Sequence, residues 1–354
     1  MRAMQRSQTE LKAVILVGGE GTRLRPLTYD TPKSMVPVLN RPFLEYTIAQ
    51  LKKGQVEEII LAVSYLPELI QQYFGDGEGM GVKLRYSIEH SLLGTAGAVK
   101  NAERYLDGTF AVLNGDVFSD VDVADMLAFH RRKNAKATIA LTRVDDTSAF
   151  GVVETDGEGK VIRFVEKPSP GQTTTNWINA GVYILDPEVL EHVPSGSHYM
   201  FEKGLFPLLL ELGEPVYGYP FSGYWLDMGT PGKYLQLNCD ILLGKTRSVI
   251  EGGLGKEEVR TGEGVVIHRT ATIVGPAIIG SRCSISQEVH IKGPVVMGSD
   301  CYIGEGSMIE ETVLWKVVHI GGSARLKQCI VGSDSRIGDN VQSMGRTFVG
   351  ETTS

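Results

Sequence analysis

Two hydrophobic periods divide the chain. From residue 12 to about 245, short apolar runs alternate with amphipathic stretches. Residues 13–17, 58–63, 82–86 and 109–113 read as buried strands. Residues 43–53, 67–74 and 95–105 place apolar side chains three and four apart and read as helices. This alternation predicts βαβ units around a mostly parallel sheet. Residues 137–143, 151–154, 161–164 and 178–184 are further strands with fewer helices between them, a mixed extension that could wall a second pocket. Helices are predicted again over 201–212 and 231–243.

Beyond residue 264 the period changes. Ile273, Ile279, Ile285, Ile291, Met297, Ile303 and Ile309 recur every six residues, with Trp315 in the next place. Cys283, Val289, Val295, Cys301, Ser307 and Val313 follow the same spacing, and glycines such as Gly280, Gly298 and Gly304 punctuate the turns. A six-residue period with aliphatic anchors predicts a left-handed parallel β-helix. The register slips after Trp315 and resumes near Ile330. Cys283 and Cys301, 18 residues apart, should stack in adjacent coils as small buried hydrophobes. The predicted organisation is a loose tail (1–10), an α/β domain (11–245), a Gly- and charge-rich linker (246–264) and the β-helix (265–354). Solenoid ends and faces tend to assemble, so a homo-oligomer through the β-helix is expected.

The 354 residues are enough for two such domains, and the hydrophobic fraction of 42% excludes disorder. A formal charge of −7 argues against a nucleic-acid binder. No apolar run is long enough to span a bilayer, and residues 1–10 carry no signal core. Four cysteines without paired spacing fit a reducing compartment, so the expectation is a cytoplasmic protein with no membrane or nucleic-acid partner.

The chemistry starts where the first strand ends, in Leu16-Val17-Gly18-Gly19-Glu20-Gly21-Thr22-Arg23-Leu24-Arg25-Pro26. Glycine N–H groups can line an anion nest, and Arg23, Arg25 and Lys33 supply cations beside it. No Gly-Lys-Ser/Thr closes a Walker A loop, and no G-x-G-x-x-G is present. Asn114-Gly115-Asp116 follows an apolar strand, at the carboxyl edge where open α/β sheets bind ligands. Asp116 reads either as an Asx-type turn or as a carboxylate for Mg²⁺, a hard ion that prefers oxygen ligands. Asp227 lies in Trp225-Leu226-Asp227-Met228-Gly229-Thr230-Pro231, where Thr230 and Pro231 also suit a helix start. Glu166-Lys167-Pro168 ends a strand, and Leu93-Gly94-Thr95-Ala96-Gly97 opens a helix. Each has a bland reading as well: a solvated charge pair, and a tight turn capped by Thr95.

Taken together and in this order, the motifs resemble the sugar-1-phosphate nucleotidyltransferases over nearly the whole chain. The resemblance implies transfer of a nucleotidyl group from a nucleoside triphosphate to a sugar 1-phosphate. It implies catalytic Arg23, Lys33 and Lys167, and Mg²⁺ on Asp116 and Asp227. The nucleotide would be held by Leu16, Gly18, Gly19, Gly21, Thr22, Glu89, Gly94, Thr95 and Asn114. The sugar would be held by Gly151, Glu166, Asn179 and Gly181. Residues 61–65, Glu89 ahead of the 93–97 loop, and the β-helical tail look like the mannose-1-phosphate guanylyltransferases. Glu89 could accept hydrogen bonds from guanine N1–H and its amine, or be a surface residue. Leu92 in place of a usual proline, and His90-Ser91 in place of acidic residues, keep a glucose-1-phosphate thymidylyl- or uridylyltransferase open. Two other classes also stand: a hexapeptide acyltransferase using His268, His290 or His319, and a noncatalytic regulatory paralogue binding a nucleotide sugar.

Overall fold

The computed structural model describes residues 11–247, 254–255 and 257–352. The expected tail (1–10) and much of the expected linker lie outside them. Packing divides the chain into two compact units, Met1–Gly19 with Thr47–Trp225, and Glu20–Tyr46 with Leu226–Ser354.

In the first unit, nine strands among the described residues form one sheet. They are β1 (Lys12–Leu16), β2 (Glu58–Val63), β3 (Lys83–Ile88), β4 (Phe110–Asn114), β5 (Ala137–Arg143), β6 (Gly151–Thr155), β7 (Val161–Glu166), β8 (Trp177–Leu185) and β9 (Val216–Pro220). The order β7-β6-β8-β4-β1-β2-β3 is completed by β5, which pairs with β8 and β9. Strands β4, β1, β2 and β3 are parallel, while β8 meets β4, β5 and β6 antiparallel. This is the mixed, mostly parallel sheet that the alternation predicts. Ile59 to Val63 are fully buried, as a strand covered on both faces requires.

The chain runs from β1 to β2 on one side and later returns to β4 on the other. The carboxyl ends of β1 and β4 therefore flank a topological switch point, the place where such sheets open a crevice. Helices α1 (Phe43–Lys53) and α2 (Pro67–Phe74) coincide with their predicted spans. The stretch 95–105 divides into α3 (Gly94–Asn101) and a 3-10 turn at Glu103–Tyr105. After it come α4 (Val123–Lys133), capped by the Asp122 carboxylate, and α5 (Phe206–Glu211). The predicted helix over 201–212 begins as a π-turn at Phe201–Leu205 before α5.

In the second unit, helix α6 (Pro231–Leu242) is capped by Thr230, whose hydroxyl accepts from Lys233 N. Three stacks of parallel strands follow, two of six strands and one of five. This is the arrangement expected of the β-helix. It begins at Val259, which pairs with Ala277.

The register change is earlier than the sequence suggests. Ala277 pairs with Val295, 18 residues on, but Val296 pairs with Val313, 17 on; the 17-residue repeat then holds until the last pair, Arg336 with Glu351, which is 15 apart. One residue is lost at the corner after Glu310, where Glu311 takes a positive φ of 47°. Leu314, not Trp315, therefore continues the inward row below Met297. Trp315 stands at the corner held by Gly298 one coil earlier, and its indole donates to Tyr234 Oη at 2.8 Å. Cys283 and Cys301 are buried in neighbouring coils as expected, and their thiols donate to the Gly298 and Trp315 carbonyls. All four cysteines are free thiols.

Candidate active site

In the first unit, the residues at the carboxyl ends of β1 and β4 are held by close backbone approaches. Gly115 N donates to Leu16 O at 2.9 Å, and a Cβ on Gly115 would lie 2.5 Å from that oxygen. Only glycine lets Asn114-Gly115-Asp116 turn so tightly beside β1. Ser64 Oγ donates to Gly18 O at 2.6 Å, and a Cβ on Gly18 would lie 3.2 Å from Glu89 Oε1. Gly19 faces open space.

Glu89 is 9% exposed and accepts a hydrogen bond from Leu93 N at 3.2 Å. Burial pushes its carboxyl above the ordinary value, against the opposing pull of that hydrogen bond. The carboxylate thus sits at the glycine loop and at the start of α3 at once.

The N–H groups of Ala96 and Gly97 both donate to Tyr199 O at 3.0 Å. Gly94 has a φ of 71°, and a Cβ there would lie 2.8 Å from the same carbonyl. Thr95 does not cap α3. It lies inside the first turn, where its hydroxyl donates to Glu202 Oε2 at 3.1 Å and accepts from Phe201 N at 2.9 Å. Thr95 and Gly94 therefore lock the loop onto the π-turn.

Gly181 adopts a φ of 73° at an irregularity in β8, and a Cβ there would lie 2.7 Å from Asn114 Nδ2. Asn179 sustains that irregularity, accepting from Gly181 N and donating to Tyr183 Oη. Asn114 Oδ1 is buried without a hydrogen bond among the described residues. Gly151 lies opposite Glu166 in the β6–β7 pair, and a Cβ there would lie 2.9 Å from Glu166 Oε2. Lys167 follows with a positive φ of 49°, its Nζ 3.9 Å from Glu166 Oε1 and its side chain largely exposed. Burial, then the charges of Glu202, Glu166 and Asp116, push the Tyr183 phenol well above its ordinary value.

The second unit gathers the remaining charges. Gly21 takes a φ of 64° ahead of the 3-10 turn Thr22–Leu24, and Thr28 Oγ1 donates to Gly21 O. That turn carries Arg23, whose Nη2 lies 4.0 Å from Asp227 Oδ2. Lys33 Nζ lies 3.9 Å from Asp227 Oδ1 and is mostly buried. A Cβ on Gly229 would lie 3.2 Å from both Arg23 Nη2 and Asp227 Oδ1. The motif's glycine thus makes room for the pairing of its aspartate. Arg25 is elsewhere engaged, with Glu20 and over the Tyr29 ring.

Arg23 and Lys33 thus both face the Asp227 carboxylate at about 4 Å, bringing two cations to one place, as a polyanion site needs. Asp116 and Asp227 are hard oxygen donors, which fits magnesium. Among the described residues no three His, Cys, Asp or Glu side chains form a preformed cage. His290 and His319 lie on solenoid strands, with His319 stacked on Tyr302, and His268 is exposed just after the strand Val266–Ile267.

Sequence reasoning did not single out Glu202. Beside Lys203 in the predicted helix it reads as a solvated charge pair, and its partner Thr95 is 107 positions away.

This architecture and site define a nucleotidyltransferase of the open α/β type with a solenoid appended. Residues 12–243 match the family described as Nucleotidyl transferase, and residues 273–354 match the GMPPB C-terminal domain. The chain belongs to the nucleotidyl transferase family. It is 38% identical over 279 residues to mannose-1-phosphate guanylyltransferase of Mycobacterium tuberculosis, covering 78% of this chain and 77% of that protein. It is 36% identical over 340 residues to UTP–glucose-1-phosphate uridylyltransferase of Synechocystis, covering 91% and 87%. Among solved structures, HddC from Yersinia pseudotuberculosis complexed with GMP-PN superposes with a TM-score of 0.56 at 30% identity, over 64% of this chain and 98% of that one.

Proposed function

We propose that the protein joins GTP and mannose 1-phosphate to give GDP-mannose and pyrophosphate. A phosphate oxygen of the sugar 1-phosphate attacks the α-phosphorus of GTP. The bond from that phosphorus to its β-bridging oxygen breaks, and pyrophosphate leaves. No general base is required, because a sugar phosphate is already ionised at neutral pH. Positioning and charge stabilisation dominate.

Arg23 and Lys33 hold the triphosphate and stabilise the departing pyrophosphate. Lys167 neutralises the incoming sugar phosphate, and Glu166, Gly151, Asn179 and Gly181 form the sugar side. Leu16, Gly18, Gly19, Gly21, Thr22, Gly94, Thr95 and Asn114 shape the nucleotide side. Asp116 and Asp227 would hold Mg²⁺, which would supply positive charge against the phosphates.

The observation that carries the guanine assignment is Glu89, a buried carboxylate between Gly18 and Leu93. Guanine offers N1–H and an amine to one carboxylate, whereas uracil and thymine offer no such pair. The guanylyltransferase relative, the GMPPB-type tail and the GMP-PN complex of HddC support the same choice. The uridylyltransferase relative favours a UTP-dependent reading. Glu89→Gln separates the two. The guanylyl reading expects a loss in kcat/KM for GTP on the order of 10- to 100-fold, since a charged acceptor is removed. An unchanged preference for GTP would remove Glu89 from the base site.

Four free thiols support a reducing, cytoplasmic setting. Among the described residues no helix is long and apolar enough to cross a membrane. Exposed Val274, Met308 and Met344 on one solenoid face support a homo-oligomer formed through the β-helix.

A further inference from the structure

Glu202 is a half-buried carboxylate that the proposed chemistry does not use. It sits on the π-turn Phe201–Leu205, an unusual backbone form that is frequent at functional sites. Its Oε2 accepts from Thr95 Oγ1 at 3.1 Å, and Thr95 Oγ1 in turn accepts from Phe201 N at 2.9 Å. The same turn is clamped to α3 by the Tyr199 carbonyl, which receives Ala96 N and Gly97 N. Oε2 is therefore fixed; the other donor to this carboxylate is the residue's own backbone N–H, and Thr95 is the one side chain bonded to it among the described residues.

The surroundings are those of the sugar side. Burial raises the Glu202 carboxyl, its own backbone N–H and then the Thr95 hydroxyl oppose the rise, and the charges of Glu166 and Lys167 act on it in opposite directions. Glu166, Glu202 and Asp116 also act together on the buried Tyr183 phenol. The geometric link is Phe201, the residue before Glu202, whose ring lies 5.1 Å from that of Tyr183, while Tyr183 Oη accepts from Asn179 of the proposed sugar side. A carboxylate held there by a hydroxyl is suited to accept from hydroxyl donors.

We propose that Glu202 is a second hydroxyl-accepting carboxylate of the sugar subsite: Thr95 orients it, and its other oxygen receives one ring hydroxyl of the sugar 1-phosphate. It then sets which sugars are taken, because a desolvated acceptor left without its donor penalises an analogue lacking that hydroxyl. This inference rests on the sugar-transfer reading, though not on the choice of base.

The test compares wild type with Glu202→Gln on the parent sugar 1-phosphate and on its monodeoxy analogues, using whichever nucleoside triphosphate the wild type prefers. The expected result is a fall in kcat/KM on the order of 10- to 100-fold for the parent, with KM for the triphosphate within twofold. For one monodeoxy analogue, the one lacking the accepted hydroxyl, wild type and variant should agree within twofold. An equal loss for every analogue, or a loss confined to the triphosphate KM, would overturn the assignment. Glu202→Asp, which keeps the charge but withdraws it, should fall between the two on the same panel. Thermal unfolding separates a misfolded variant from a folded one. Calorimetric titration of the sugar 1-phosphates gives a binding readout: a wild type that binds none of them overturns the subsite. A wild type that prefers UTP yet shows the monodeoxy pattern refutes only the guanine assignment.

Discussion

Glu89 has given up most of its water for one backbone hydrogen bond, from Leu93 N. Its carboxyl is raised by burial, so the folded protein holds that proton to higher pH than the unfolded chain does. Stability from this group is present below the unfolded value and is lost as pH rises through the folded one. Wherever Glu89 is ionised, its buried charge therefore weakens the fold relative to the protonated form. Glu89→Gln should raise the melting temperature at pH 7 relative to wild type and lose that advantage near pH 4. Calorimetry across this range checks it, and a variant less stable than wild type at pH 7 would contradict the burial argument. Such a trade of stability for binding is common where a site needs a buried charge. The sequence exposed Glu89 as a candidate but left it equally a surface residue. Only the path of β3 and the approach of Gly18 bury it.

Among elements, the clearest departure from the sequence reading lies in the β-helix. A six-residue period is visible wherever aliphatic anchors recur, so the solenoid was legible. The lost residue after Glu310 was not, because Trp315 also satisfies an apolar position in the unbroken period. Trp315 instead donates to Tyr234 Oη, and Tyr234 Oη donates to Pro37 O at 2.5 Å. One phenol on α6 thus ties together the corner of a coil and the segment that carries Lys33. Tyr234→Phe leaves a buried indole N–H and a carbonyl without their partner. It should cost about 1–3 kcal/mol in urea unfolding. A loss below a few tenths of a kcal/mol would show that water or rearrangement replaces the phenol. The π-turn at Phe201–Leu205 was equally hidden, since a largely apolar stretch with a few charges reads as ordinary helix.

For the whole molecule, the packing units cut across the sequence periods. Residues 20–46, which carry Arg23 and Lys33, and the helix after Asp227 belong to the unit that includes the solenoid. Asn40 Nδ2 donates to Met297 O at 2.8 Å, and Tyr234 packs on Trp315. Truncation after residue 245 keeps every proposed site residue, yet strips these partners from the segment holding the triphosphate cations. The truncated chain should lose turnover at least tenfold and unfold at lower temperature. Full activity in that truncation would show that the solenoid contributes nothing to the site. The motifs supplied the proposed site residues and their order along the chain. That the cation segment folds with the β-helix could not be read from motifs, because it depends on side chains some 200 to 260 positions apart.

The most direct test of the proposed reaction is pyrophosphate release by the wild-type protein with Mg²⁺. GTP, dTTP, UTP, ATP and CTP are each paired with mannose 1-phosphate and glucose 1-phosphate, with Asp116→Ala as the control. The account predicts release strongest with GTP and mannose 1-phosphate, and none from Asp116→Ala despite a native melting curve. Preferred release with UTP or dTTP and glucose 1-phosphate would contradict the guanylyl assignment, and wild-type turnover in Asp116→Ala would contradict the metal assignment.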